Sequence, residues 1–205
     1  MSVPDTELSA DQRNALQEIA NIGMGQAGAS IAKIWREFVR LSIPKIAHVE
    51  RKSIPSLLAR VVGSAPVDAV RQAFHGHLRG EVVVVFADSN VSELAELMGY
   101  DSSDAVEQHE LLLDVANILV GACLGSVAQT LEAEIGFSAP SLMGVDVKPE
   151  SLVQKGDLGA GRALFLEICF TLEKRSFSSH LVVLMPAEEI AVLAKRLDQF
   201  LESCG

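Results

Sequence analysis

The sequence predicts an α+β protein in which two copies of one helix-and-strand unit build a single, largely antiparallel sheet with two long helices. Three observations favour this fold. Two long helical stretches lie about 96 positions apart. Short stretches with the alternation typical of strands follow each of them at hairpin spacing. The same kinds of polar residue recur at matching positions of both helices, which indicates an internal duplication.

The first unit opens with a helix over roughly 8–36. Ser9 is its predicted N-cap, and Gln12 follows three positions on, as in a capping box. Residues 38–49 alternate as in a strand, with Pro44 at an edge or a bulge. The rest of the unit is predicted as a short helix at 54–62, strands at 67–76 and 80–87, and a helix at 89–98.

The second unit repeats this order. A long helix is predicted at 104–135 and a strand at 141–149, and glycines mark a loop at 156–161. The boundary between the units lies near Tyr100–Ser103. The remaining elements are strands at 161–173 and 178–185 and a helix at 187–202, so that repeat one spans about 8–100 and repeat two about 104–203.

Composition limits the possible functions. The 205 residues are 49% hydrophobic and 21% charged, which suits one domain (1–205) whose halves share a core. The net charge of −10, with no run of Lys or Arg, opposes binding to nucleic acid or to an anionic membrane. The three cysteines are odd in number and far apart, which argues against a disulfide framework or a zinc motif. Because the N-terminus has no basic and apolar leader, we expect a soluble, cytoplasmic protein.

The duplication keeps one register over a long distance. Asn21 and Pro44 are 23 positions apart, and so are Asn117 and Pro140. The offset between the copies is 96 positions for both pairs. Several matches in one register are not readily given by chance, so the duplication is a strong signal.

Each long helix carries a polar stripe at positions i, i+4, i+7 and i+11, which lie on one face. A stripe of this kind is ordinarily the solvated face of an amphipathic helix, and for the first helix alone this explanation suffices. The second helix weakens it, because residues 111–128 are otherwise almost wholly apolar. Its two polar side chains also argue against a membrane span. The stripes are Asn14, Glu18, Asn21 and Gly25 in the first helix, and Glu110, Asp114, Asn117 and Gly121 in the second.

Glycines accompany both stripes, namely Gly25 and Gly28 in the first helix and Gly121 and Gly125 in the second. Each costs a helix about 1 kcal/mol relative to alanine, so their number calls for a reason. Two interpretations remain open. One is close contact between helices, which would suit Gly23 and Gly125. The other is a flat, accessible groove along which another protein can lie.

Two further patterns are weak. The segment Gly23–Gly28 matches G-x-G-x-x-G, but about 15 helical residues precede it where a dinucleotide site needs a strand and a turn. His75 and His77 would share one face of a strand, yet no third metal ligand is placed near them. No nucleophile paired with a base can be argued from the sequence.

The paired motif resembles that of the CheC/CheX/FliY phosphatases of bacterial chemotaxis, Asp/Ser-x3-Glu-x2-Asn-x22-Pro, which CheC-type members carry twice. Asn14 departs from the family pattern, which has Asp or Ser there, and Asp114 is one methylene shorter than the family's Glu. The copies here read Asn14-x3-Glu18-x2-Asn21-x22-Pro44 and Glu110-x3-Asp114-x2-Asn117-x22-Pro140.

The resemblance implies hydrolysis of the aspartyl phosphate of a CheY-like receiver protein. In such proteins the asparagine amide orients the attacking water, and the carboxylate pairs with a lysine of the receiver. It implies catalytic roles for Glu18 and Asn21, and for Asp114 and Asn117 in the second copy. No cofactor is expected on this chain, since Mg²⁺ belongs to the receiver. Asn14, Glu110, Pro44 and Pro140 are expected to support the motif without taking part in the chemistry.

Two other functions stay open. The first is a non-catalytic binding or adaptor module of the same fold that grips a receiver or another chemotaxis or flagellar protein. The second is a small-molecule binder in the cleft between the halves. The resemblance adds a CheD-like deamidase as a possible partner. We expect the first copy to carry most of the activity, because the second shortens the carboxylate, and we expect a monomer.

Overall fold

Two 26-residue helices pack against each other over one face of an eight-stranded antiparallel sheet. The computed structural model describes residues 7–87, 91–100, 104–152, 162–173 and 177–204. Repeat one contains α1 (Ala10–Trp35), β1 (Val39–Leu41), β2 (Lys45–Glu50), α2 (Ile54–Val62), β3 (Val67–Gly76), β4 (Gly80–Ala87) and α3 (Val91–Met98). Repeat two contains α4 (Ala105–Thr130), β5 (Ile135–Phe137), β6 (Ser141–Val147), β7 (Arg162–Leu172), β8 (Ser178–Pro186) and α5 (Ala187–Cys204).

The first long helix begins as the sequence predicts. The Ser9 hydroxyl accepts from the Gln12 amide at 3.2 Å, and the Gln12 side chain accepts from the Ser9 amide at 2.9 Å. This reciprocal capping box satisfies two backbone donors. At the other end, Arg36 takes a left-handed conformation with φ 55°, which stops the helix.

Two predicted elements need correction, and two other predicted features fall at least partly outside the described residues. The second long helix ends at Thr130 and not at 135, because Glu132 turns left-handed (φ 49°) and Ile135 pairs with Gly76 in the sheet. The predicted strand at 38–49 divides into β1 and β2 around Pro44. The predicted glycine loop lies outside the described part of the chain, as do 101–103 of the predicted boundary between repeats.

The sheet exchanges strands between the repeats. Its order is β1-β7-β8-β4-β3-β5, with β2 also on β7 and β6 also on β3. The strands that follow α1 therefore pair with a strand of repeat two, and those that follow α4 pair with a strand of repeat one. Neither repeat completes its own sheet.

The same two hydrogen bonds join the repeats at two equivalent places. The Ser42 amide donates to the Cys169 carbonyl at 2.9 Å, and the Ser42 hydroxyl accepts from the Cys169 amide at 2.9 Å. Ser138 and Ala73 make the matching bonds at 2.9 and 3.0 Å. Both partners are displaced by 96 positions, so the register read from the sequence also holds in the sheet.

The core lies on both faces of the sheet. The long helices and α5 cover one face, and α2 covers part of the other through Ile54 and Leu58. The central strand β4 is apolar and fully covered over 82–86, as a strand buried on both faces requires. By length and composition α4 could cross a membrane, but such helices also form the cores of soluble proteins; here it packs against α1 and β3, with eight buried residues.

Glycines serve different purposes at the two long helices. A Cβ at Gly23 would lie 3.0 Å from Cγ2 and 3.3 Å from the backbone nitrogen of Val127, so this glycine permits the close crossing of α1 and α4. At Gly125 an added Cβ would meet nothing within 4 Å, so the packing interpretation is wrong for that residue. Gly25 and Gly121 face open space in the same way.

Because the repeats share one sheet, we expect the chain to unfold in a single cooperative transition. Trp35, the only tryptophan, packs edge-on against Phe177 of repeat two at a centroid distance of 6.3 Å. Leu181→Ala in repeat two should lower stability by roughly 2–5 kcal/mol. In urea unfolding, Trp35 fluorescence and circular dichroism should report the same decrease in the free energy of unfolding. Two separate transitions, or a fluorescence midpoint that the substitution leaves unchanged, would contradict a shared core.

Candidate functional site

The motif of repeat one lies open on α1. Asn14, Glu18, Asn21 and Gly25 are all exposed, as the predicted stripe requires. Within the part of the chain that the structure describes, the Glu18 carboxylate and the Asn21 amide make no hydrogen bond or ion pair. Both groups are therefore available to a partner.

A shallow groove runs beside Asn21, between α1 and the segment that joins β1 to β2. Gly25 leaves its helical wall without a side chain, whereas Gly28 is buried and permits the close approach of Leu41, which an added Cβ would meet at 2.7 Å. Two large apolar side chains stand exposed nearby, Ile22 at 45% and Ile43 at 72%. The groove is lined by Asn21, Met24, Gly25, Gly28, Ala29, Val39, Leu41, Ser42 and Ile43. It combines a polar end with apolar walls, which suits a protein surface.

Pro44 holds the far wall of the groove in place. It is buried, and its carbonyl accepts from the Gln17 side chain at 2.8 Å, one residue before Glu18. Ser42 ties the same segment to β7 through Cys169. The buried proline thus fixes the shape of the segment beside the site.

The carboxylate of the second motif is already bonded. The Tyr100 hydroxyl donates to Asp114 Oδ2 at 2.5 Å. This bond stabilises the neutral phenol and, with smaller effects of burial and of the Asp114 charge, raises the pKa of Tyr100 to about 12. Asp114 remains exposed, but one of its oxygens is engaged.

The amide of the second motif is also bonded. The Gln72 NH₂ group donates to Asn117 Oδ1 at 2.9 Å and to the Ser138 carbonyl at 2.9 Å. A backbone carbonyl can only accept, which fixes the Gln72 atom as the donor and the Asn117 atom as the carbonyl oxygen. Gln72 is only 2% exposed, so the Asn117 carbonyl points toward the sheet.

Repeat one has no counterpart of this contact. The paired Ser42–Cys169 and Ser138–Ala73 bonds make Cys169 equivalent to Ala73, and therefore Ile168 equivalent to Gln72. Ile168 is 1% exposed and has no polar side-chain atom. The structure thus places both motifs on equivalent helix faces, and among the described residues the carboxylate and amide of the first motif have no partner whereas those of the second do.

Gln72 and Tyr100 were missed by reasoning from the sequence. A signal for Gln72 was present, since it is a single amide between Val70 and Phe74 on the inward face of an otherwise apolar strand. Tyr100 had no comparable signal beyond its place at the boundary between repeats. The remaining motif residues are Glu110, which is exposed, and Pro140, which is half-buried just before β6.

A buried ion pair lies on the sheet face away from the long helices. Glu167 is 1% exposed, with Oε1 3.0 Å from His180 Nδ1 and Oε2 3.1 Å from Lys45 Nζ. The hydrogen bond from His180, helped by the nearby charge of Lys45, outweighs the opposing effect of burial and holds the pKa of Glu167 below its usual range. Phe165, two residues away, packs with α2, so this pair is separate from the candidate site.

No metal centre is formed by the residues that the structure describes. His77 Nδ1 accepts from the Glu134 amide at 3.0 Å, and His75 lies against Gly136, where an added Cβ would be 2.9 Å from its Nε2. Both histidines therefore secure β5. A cavity between the long helices and the sheet is lined by apolar side chains such as Leu16, and offers no polar group to orient a ligand.

Several solved structures share this architecture. No protein-family model matches the chain. FliY of Thermotoga maritima superimposes with a TM-score of 0.68 at 18% identity, over 94% of this chain and 98% of that one. The FliM middle domain from H. pylori superimposes with a TM-score of 0.62 at 12% identity, over 92% of this chain and 99% of that one. CheX of Desulfovibrio desulfuricans superimposes with a TM-score of 0.53 at 15% identity, over 82% of this chain and 99% of that one.

These matches cover most of each chain and agree with the motif. At such low identity they establish the fold and leave the activity open. The chain therefore has the CheC-like fold that FliY, CheX and the FliM middle domain share.

Proposed function

We propose that this protein hydrolyses the aspartyl phosphate of a CheY-like receiver in chemotaxis or motility signalling, and that repeat one is its working site. The observation that carries the proposal is the state of Glu18 and Asn21. They are exposed, bonded to none of the residues that the structure describes, and one helical turn apart on a chain with the CheC-like fold.

The chemistry needs little from this chain. The acyl phosphate is an activated substrate, and the receiver's own Mg²⁺ neutralises charge on the phosphoryl group. The Asn21 carbonyl accepts a hydrogen bond from the attacking water, and its NH₂ group donates one to a phosphoryl oxygen; the protons of the water remain with the phosphate that is released. The water oxygen bonds to phosphorus as the bond from phosphorus to the receiver's aspartate breaks. Positioning of this water lowers the barrier without a nucleophile or a metal on this chain.

Glu18 serves to hold the receiver. A carboxylate paired with a lysine of the receiver's active site would fix α1 over the phosphate by a charge-assisted hydrogen bond. Asn14, one turn earlier on the same face, lacks the charge of the family's Asp and is left to orient the contact. The groove and the exposed Ile22 and Ile43 supply apolar area around this polar centre.

The setting of this activity follows from the same reasoning. A cytoplasmic location fits a substrate that is a signalling receiver. A CheD-like deamidase is a further proposed partner, on the ground of the family resemblance alone. Asp114 and Asn117 form a second, subordinate site in this proposal.

A non-catalytic binding module is the second candidate. It is favoured by the FliM middle domain of H. pylori, which has this fold and has been solved in complexes with FliG and with SpeE. In that case the same open face would hold a partner without hydrolysis. The two candidates differ in whether the receiver loses phosphate faster when bound.

Asn21→Ala should lower the acceleration of receiver dephosphorylation about a hundredfold, because the attacking water is no longer positioned. Asn117→Ala should leave most of it. The measurement is the rate of phosphate loss from Mg²⁺-loaded phospho-receiver in the presence of each variant, compared with the rate for the receiver without this protein. If the wild-type protein binds the receiver without speeding this loss, the binding module is correct. If only Asn117→Ala abolishes activity, repeat one is not the working site.

Gly25→Ala tests the docking face. Its Cβ enters open space, so α1 should gain about 1 kcal/mol of helix stability. The added methyl should nevertheless hinder the receiver and raise KM several-fold. Gly121→Ala is the matched control, since its Cβ is equally open and on the other repeat. It should stabilise to the same degree without a kinetic effect; equal kinetics for both variants would rule out docking along Gly25.

A further inference from the structure

Both chemical groups of the second motif are bonded within the chain, whereas those of the first have no partner among the described residues. We infer that Gln72 and Tyr100 are positioning residues that hold the second site in a non-working arrangement, and so decide which repeat acts on a receiver. The inference rests on the proposed function for its activity readout. Its physical content, two side-chain hydrogen bonds, can be measured without any substrate.

The first bond turns the Asn117 amide the wrong way. To orient an attacking water, the amide must present its carbonyl oxygen to solvent. That oxygen instead accepts from Gln72, which is almost wholly buried. Rotating the amide would bring its NH₂ group against the NH₂ group of Gln72, so that two donors face each other.

Gln72 itself cannot rotate to relieve this. Its second N–H is held by the Ser138 carbonyl at 2.9 Å. Reversal would place the Gln72 oxygen against that carbonyl, which is acceptor against acceptor, inside a buried site where an unmatched polar pair is expensive. The Asn117 orientation is therefore locked from beneath by a residue of the other repeat.

The second bond engages the carboxylate of Asp114, so that it is less available to a receiver. Asp114 is one methylene shorter than Glu18, and its Oδ2 is held by the Tyr100 hydroxyl at 2.5 Å. A bond between a phenol and a carboxylate is charge-assisted and correspondingly strong. A lysine of a receiver would have to displace Tyr100 and also reach a retracted side chain.

Repeat one shows the arrangement in which the glutamine that holds the amide is absent. Ile168 occupies the position of Gln72, is 1% exposed, and offers no hydrogen bond. Asn21 is exposed and has no hydrogen-bond partner among the residues that the structure describes. One buried position, glutamine in one repeat and isoleucine in the other, therefore separates a locked amide from a free one.

Tyr100 is the only tyrosine, so its titration reads the second bond directly. Ultraviolet absorbance of tyrosinate should give a pKa of about 12 for the wild type and a lower value, toward the ordinary one of about 10, for Asp114→Asn. The ring Cζ chemical shift, recorded at neutral pH in both proteins, reports the same bond without alkaline exposure. A wild type that matches Asp114→Asn in both measurements would overturn this half of the inference.

The activity test unlocks the second site in a protein whose first site is disabled. In an Asn21→Ala background, Gln72→Ile and Tyr100→Phe together should raise receiver dephosphorylation about tenfold. Adding Asn117→Ala should abolish the gain, which assigns it to the second site. Should Gln72→Ile fail to fold, Gln72→Met keeps the length without the donor. A folded unlocked variant that stays as inactive as Asn21→Ala contradicts the inference.

Side-chain amide NMR separates this inference from the proposed function. The Asn117 NH₂ group should be ordered in the wild type and mobile in Gln72→Met, while that of Asn21 is mobile in both. If the wild type has no phosphatase activity, the proposed function is wrong, and the lock is still judged by this comparison. An Asn117 amide equally mobile in both proteins would refute the lock whatever the activity.

Discussion

The structure depends on the pairing of each repeat's short strands with a long strand of the other repeat. β1 and β2 have β7 as their partner in the sheet, and β5 and β6 have β3. The Ser42–Cys169 and Ser138–Ala73 bonds hold this pairing in register. Since the short strands follow directly from the long helices, the same pairing sets where α1 and α4 lie on the sheet.

It follows that each candidate site is composite. The Asn117 amide comes from repeat two and is bonded to Gln72 of β3 in repeat one, 45 positions away. The equivalent position of β7 is Ile168 of repeat two, 147 positions from Asn21 of repeat one. A change in one repeat alters the chemistry available to the motif of the other.

Much of the fold could be predicted because it is local. The period of apolar residues, the Ser9 cap and the turn residues place most helices and strands within a few positions. The end of the second helix was misplaced, because the left-handed turn at Glu132 serves pairing with β3 and has no strong local signal. A sheet shared by both repeats was predicted, but which strands pair was not, since antiparallel partners distant in sequence are selected by register and packing.

The candidate site divides in the same way. Glu18 and Asn21 were found because their spacing is helical and repeated. Gln72 and Tyr100 were not, because their roles depend on contacts 45 and 14 residues away, respectively, that only the folded chain creates. The expected packing role held for Gly23 and failed for Gly125, which shows that small residues alone do not distinguish a contact from an open surface.

Strand exchange also has a genetic consequence. Two identical single-repeat chains that traded strands would carry the same residue beneath both amides, because one codon would specify both positions. Joining the copies in one reading frame separates these codons. Glutamine at 72 and isoleucine at 168 can then coexist. Covalent fusion is thus what makes it possible for a symmetric architecture to hold two unlike sites.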